Sequence, residues 1–149
     1  MDVAEVPAIR RFQTIDLTTA AWVLPRLVQA YPHLDEWRAK GWLESLVNNN
    51  EFLFLYTDGA VALAQLQRSH TLAPKPIVQE HFVFVKDPAD KALVARAAGV
   101  YSEFLAWSKR LGCDILIVEE RSDIPHDLIK AKLGRVFQRQ VQYAKVGGA

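Results

Sequence analysis

The spacing of apolar positions divides the chain into short alternating and helical stretches. Ile9 to Leu17 sets Ile9, Arg11, Gln13 and Ile15 against Arg10, Phe12, Thr14 and Asp16, an imperfect alternation that predicts a first strand. Thr18 and Thr19 follow, and either side chain can accept from the exposed amides of a helix start. Trp22, Val23, Leu27 and Val28, with Ala30 and Tyr31 beyond, have helical spacing. Pro25 would weaken that helix outside its first turn, and Pro32 stops it. A second helix is predicted from Asp35 to Val47. Acidic residues favour its positive end, Trp42, Leu43, Leu46 and Val47 form its stripe, and Asn48 to Asn50 end it.

Glu51–Thr57 and Ala60–Gln67 flank Asp58–Gly59, and an Asp-Gly pair tolerates the positive φ of a two-residue turn, so a β-hairpin is predicted. Ile77 to Lys86 reads as a third antiparallel strand. Unbroken alternation would put Val78, Glu80, Phe82 and Phe84 on one face, and Ile77, Gln79, His81, Val83 and Val85 on the other. Asp87 and Pro88 then suit a helix start. One long helix follows, with Leu93, Ala97, Val100, Phe104, Trp107 and Leu111 on its inner face and Gly112 as its stop. Cys113 to Glu119 is a nearly continuous apolar strand, as expected when both faces are covered. Ser122 or Asp123 would cap a short helix ending at Gly134, and Arg135 to Val146 forms a last strand. The order is β-α-α-β-β-β-α-β-α-β: an α/β (α+β) chain with a mixed, mostly antiparallel sheet flanked by helices. The crossover into the Cys113 strand should run parallel and right-handed.

Composition narrows the class. With 149 residues, 50% of them hydrophobic, one domain over 1–149 is expected, large enough to bury roughly 70% of its unfolded surface. Lys and Arg exceed Asp and Glu by one, for a net charge of +1, which argues against a nucleic-acid coat or an anionic-membrane binder. A lone cysteine, Cys113, forms no intrachain disulfide, and the histidines at 33, 70, 81 and 126 lack metal-ligand spacing, so no metal is expected. Met1 to Pro7 has no apolar core for a signal peptide, and no apolar run approaches the ~20 residues of a spanning helix. A cytoplasmic protein is the expectation.

Two segments carry a family resemblance. Tyr101–Val118 (YSEFLAWSKRLGCDILIV) and Ile129–Phe137 (IKAKLGRVF), with the Asp-Gly hairpin and the strand count, resemble the GNAT (N-acetyltransferase) superfamily, most closely its compact bacteriophage-encoded members. The resemblance implies the GNAT acyl-CoA N-acyltransferase fold and direct transfer of an acyl group from acetyl-CoA to an amine. Its fourth and fifth strands splay and hold pantetheine in the gap, which here assigns the backbone of Val83, Phe84 and Val85 to the cofactor. A glycine-rich loop at the start of the long helix binds the pyrophosphate, because open amides and the helix dipole favour anions.

Counted back from Gly112, that loop falls on Ala92 to Ala97, where Ala92 replaces the basic residue and Ala95 and Ala97 replace the glycines. Lys91 and Arg96 lie beside it and can supply charge, whereas Asp87 and Asp90 oppose a diphosphate. The family's general base on the fourth strand corresponds to Glu80, with His81 as an alternative. The family's proton-donating tyrosine corresponds to Lys130. Two uses follow: an acetyl-CoA-dependent N-acetyltransferase, or a catalytically degenerate GNAT-like module, such as a phage protein that binds and modulates a host enzyme. Trp37 and Trp42, five apart on the second helix, face different ways, so one is expected in the core and the other on an acceptor groove or protein interface. After Gly134 the chain is too short for two full closing strands. Arg135, Arg139 and Lys145 would then protect the exposed edge of the last one.

Overall fold

The structure, a computed structural model, describes residues 9–12, 16–68, 75–118, 123–134 and 143–145. A six-stranded sheet runs in the order β1-β2-β3-β4-β5-β6, with every neighbouring pair antiparallel except β4 and β5. The strands are β1 (Arg10–Arg11), β2 (Phe52–Thr57), β3 (Ala60–Gln67), β4 (Ile77–Val85), β5 (Ile115–Ile117) and β6 (Tyr143–Lys145). The helices are α1 (Leu17–Ala30), α2 (Glu36–Leu46), α3 (Lys91–Ala97), α4 (Val100–Arg110) and α5 (His126–Leu133). The expected α/β class, its mixed sheet and its parallel β4–β5 crossover all stand.

Helices cover both faces of the sheet. On one face, Val23 and Leu27 of α1 and Leu43 and Leu46 of α2 bury against Phe54, Leu63, Phe82 and Phe84. On the other, Leu93, Ala97, Tyr101, Phe104 and Trp107, with Ile129 and Leu133 of α5, bury against Leu53, Ala62, Ala64, Val83 and Leu116. That is why β3 is buried continuously from Ala60 to Ala64: its alternate residues belong to two different cores. The hairpin turn is as predicted, with Gly59 at φ 79°, a conformation that costs most residues a steric clash.

Several boundaries differ from the sequence-based expectation. The strand expected over Ile9 to Leu17 pairs only at Arg10 and Arg11, with 13–15 outside the described residues, and α1 already begins at Leu17. Asp16, not Thr18 or Thr19, caps α1, because its carboxylate reaches the Thr19 amide at 2.6 Å. Pro25 lies in the middle of α1, where the buried stripe of Ala20, Val23 and Leu27 holds the helix together. Asp90 rather than Asp87 caps α3; Asp87 instead closes the preceding turn by accepting from the Ala89 amide at 3.1 Å. The long helix is interrupted at Ala98–Gly99, although both residues keep right-handed helical angles. Its expected inner residue Leu111 is 39% exposed.

Asp123 does not cap α5. That helix starts after Pro125 with no side-chain cap, and Ser122 lies outside the described residues. Of the expected strand over Arg135 to Val146, the described part is β6, paired to β5; Arg135 and Arg139 lie outside the described residues.

Candidate functional site

The site is built on β4, and a single irregularity decides its geometry. Leu63 pairs with Phe82 but Ala64 pairs with Glu80, so His81 is an extra residue on β4. Such a bulge reverses which face later residues take. Val78 and Glu80 face the α3–α4 side, opposite Leu66 and Ala64, whereas Phe82 and Phe84 face α1 and α2 with Leu63 and Val61. The predicted face of Val78, Glu80, Phe82 and Phe84 is therefore split in two, and Val83 and Val85 join the Val78 side.

The inner edge of β4 is paired with β5 only at Val78↔Leu116 and Gln79↔Ile117. Farther along β4, backbone groups of Val83 and Val85 are met, among the described residues, by Asp123 and the side chain of Arg26. The Asp123 amide donates to the Val83 carbonyl at 3.2 Å, and the Val85 amide donates to Asp123 Oδ2 at 2.9 Å. Arg26 Nη1 donates to the Val85 carbonyl at 3.0 Å, and Arg26 Nη2 pairs with the same Asp123 Oδ2. The guanidinium lies 5.1 Å from the centroid of the Phe84 ring, which stacks on Phe82 at 4.5 Å.

Beside this clasp is a cavity of about 430 Å³ whose walls include Arg26, Tyr31, His81, Phe82, Phe84 and Asp123. His81, the bulged residue, is part of its wall. Its Nε2 lies 2.6 Å from Gln65 Oε1, its ring stacks on Phe52, and its carbonyl accepts from the Tyr31 hydroxyl at 3.1 Å. A second cavity of about 380 Å³ lies at the hairpin turn, walled by Arg10, Asp16, Trp22, Asp58 and Lys86 among others.

The residues proposed from the sequence are not all brought together. Glu80 is 1% exposed, faces the α4 side and lines neither cavity. Lys130 is exposed on α5, next to the buried Ile129, and lines neither cavity. Val83 and Val85 join the α3–α4 layer, while Phe84 turns to the opposite layer. Lys91, Ala92 and Ala95 are exposed, Ala97 is buried, and Arg96 reaches across to the Asp58 carbonyl at 3.2 Å. Trp42 packs against Phe82 and Tyr31, and Trp37 is 84% exposed, so the two tryptophans separate as expected. Arg26 and Asp123, the centre of the clasp, escaped the sequence reading; no local pattern links residues 97 positions apart.

No family model matches the chain. No curated protein matches it either. Among solved structures, it is similar to the aminoglycoside 6'-N-acetyltransferase AAC(6')-Ih from Acinetobacter baumannii, with 16% identity and a TM-score of 0.57 over 76% of this chain and 78% of that one. It is also similar to the aminoglycoside acetyltransferase meta-AAC0020 from an uncultured soil metagenomic sample, with 13% identity and a TM-score of 0.55 over 89% and 91% of the two chains. A third is the aminoglycoside N-acetyltransferase AAC(6')-Iy in complex with CoA, with 14% identity and a TM-score of 0.52 over 87% and 86%. The chain has the GNAT fold. At these identities the likeness speaks for the fold alone.

The GNAT fold implies acyl-CoA, and two parts of this chain answer differently to it. The β4 edge carries the groups an extended amide chain would need, the Val83 carbonyl and the Val85 amide, although both bond to Asp123 here. The stretch Ala92–Ala97 does not fit the pyrophosphate. It lies within α3 rather than in an open loop, and Asp90 takes the Leu93 amide with its carboxylate and the Val94 amide with its carbonyl. Alanine side chains and a carboxylate therefore stand where open amides would be needed. Among the described residues, no group of three or more His, Cys, Asp or Glu is placed to hold a metal ion, and no helix is long and apolar enough to cross a membrane.

Proposed function

We propose that this chain is an acyl-CoA-dependent N-acyltransferase that acts on an amine by direct transfer, with its chemistry in the cavity beside β4. One observation carries the reading: the described β4–β5 pairing ends at Gln79↔Ile117, and Val83 and Val85 farther along β4 carry carbonyl and amide groups spaced for an extended amide chain. Acetyl-CoA, when bound, supplies the activated acyl carbon. The chain's own part is to hold and deprotonate the acceptor. His81 serves as the proton acceptor better than Glu80 does, because His81 lines the cavity and Glu80 faces the opposite layer. Gln65 holds the His81 ring at Nε2. Phe82 and Phe84 give the cavity an apolar floor that excludes water from the reacting amine. Lys130, exposed on α5, leaves protonation of the departing thiolate to solvent.

The described wall favours an acceptor of a different class from the aminoglycosides in the names of the structural neighbours. Among the described residues Asp123 is the carboxylate in the cavity wall, and Arg26 already pairs with it. A monoamine with an apolar or aromatic body suits that wall better. Titration with acetyl-CoA in a calorimeter, followed by mass analysis of a panel of amines, tests the reading. Binding with acetylated monoamine product is expected. No heat at millimolar acetyl-CoA and no product would overturn it. The reading of a non-catalytic GNAT-like module is favoured by the Asp90 cap on α3 and by the exposed Trp37. It predicts that same silent titration, together with a stoichiometric protein partner.

A further inference from the structure

Asp123 does not cap the helix it precedes. Instead, its amide and carboxylate bond to alternate residues of β4, Val83 and Val85, as a residue of a paired strand would. Arg26, reaching over from α1, holds both that carboxylate and the Val85 carbonyl, and the Phe84 ring supports its guanidinium. Three backbone groups at the open edge are thus met by the protein's own side chains and loop. The pair is half-buried, with side-chain exposures of 27% and 18%, so water and a competing ligand can reach it.

We propose that Arg26 and Asp123 are an internal competitor for the pantetheine edge of β4, so that the chain rests with this edge filled and binds acyl-CoA only when Asp123 gives way. The inference rests on the acyl-CoA reading above. A ligand that binds only the open form has its affinity reduced by the fraction of molecules that are open. If one molecule in ten is open, the apparent affinity falls roughly tenfold.

The test is calorimetric titration of the full chain with CoA at fixed salt, using wild type and three variants. Asp123→Ala removes the carboxylate and is expected to bind CoA roughly tenfold more tightly, the size set by the open fraction. Arg26→Met decides between competition and simple electrostatics. Losing a positive charge should weaken binding of a polyanion, whereas loss of the competitor should tighten it, and tightening is expected. Asp127→Ala removes a carboxylate from α5 without touching β4 and should leave affinity unchanged. Circular dichroism confirms that each variant folds; if Asp123→Ala does not, Arg26→Met carries the test. Wild type and both clasp variants binding CoA equally would overturn the competitor while leaving the acyl-CoA reading intact. If none of them binds at millimolar CoA, the acyl-CoA reading fails and the competitor with it.

Discussion

Asp16 shows how a single side chain sets a helix start. Its carboxylate accepts from the exposed Thr19 amide, and that bond holds its pKa below the ordinary carboxylate value. A lowered pKa in the folded state contributes stability that is present above the unfolded value and lost as pH falls through the folded one. Asp16→Ala should cost about 1 kcal/mol at neutral pH, the usual worth of such a cap. Urea melts of the two proteins should converge as pH falls through the lowered folded-state pKa of Asp16. The sequence offered three residues of capping type in four positions, and propensity alone cannot choose among Asp16, Thr18 and Thr19. Cys113 is the opposite kind of residue, legible as core from its apolar neighbours. Burial raises its thiol pKa, and Asp114 raises it further, against a smaller lowering by Arg68. Iodoacetamide at mildly alkaline pH should therefore label native Cys113 slowly and the urea-unfolded chain at the rate of a free thiol. Equal rates would contradict the burial.

At the scale of elements, features set by local chemistry were legible and those set by pairing were not. The β2–β3 hairpin follows from Asp58–Gly59, two residues whose backbone preferences act alone. Gly59→Ala should destabilise the chain by about 1–2 kcal/mol, since an alanine there must keep the left-handed φ. Its Cβ would also stand 3.1 Å from two methyls of Leu93. Thermal denaturation measures the loss, and an unchanged midpoint would mean that the turn tolerates another conformation. The bulge at His81 left no such mark, because Ile77 to Val85 alternates plausibly without it. It is settled by the register against β3, which also moves Phe82 and Phe84 into the aromatic layer with Phe54. The break at Ala98–Gly99 was hidden for a related reason: both residues stay helical, so the apolar repeat from Leu93 to Trp107 runs through it in phase.

Across the whole molecule, the candidate site depends on contacts that join distant parts of the chain. α1 contributes Arg26, the residue after it contributes Tyr31, the bulge contributes His81, and the loop before α5 contributes Asp123. The resemblance pointed to the β4 edge, but it could not show that Asp123 and Arg26 bond to that edge or that Glu80 faces the α4 side. The assignment of the base is thus where sequence and structure part most sharply. If His81 takes the proton, His81→Ala should lower acetyl transfer by roughly 10²-fold or more, the usual contribution of a positioned base. Gln65→Ala, which frees the His81 ring to turn, should lower it less, and the change should appear in kcat more than in acetyl-CoA binding. Glu80→Gln, nearly isosteric on the buried α4 face, should leave the rate within a few-fold of wild type once folding is matched by circular dichroism. The reverse pattern, with activity lost in Glu80→Gln and kept in His81→Ala, would show that the buried carboxylate reaches the amine. The bulge would then serve to turn Glu80 inward rather than to set His81 in the cavity wall.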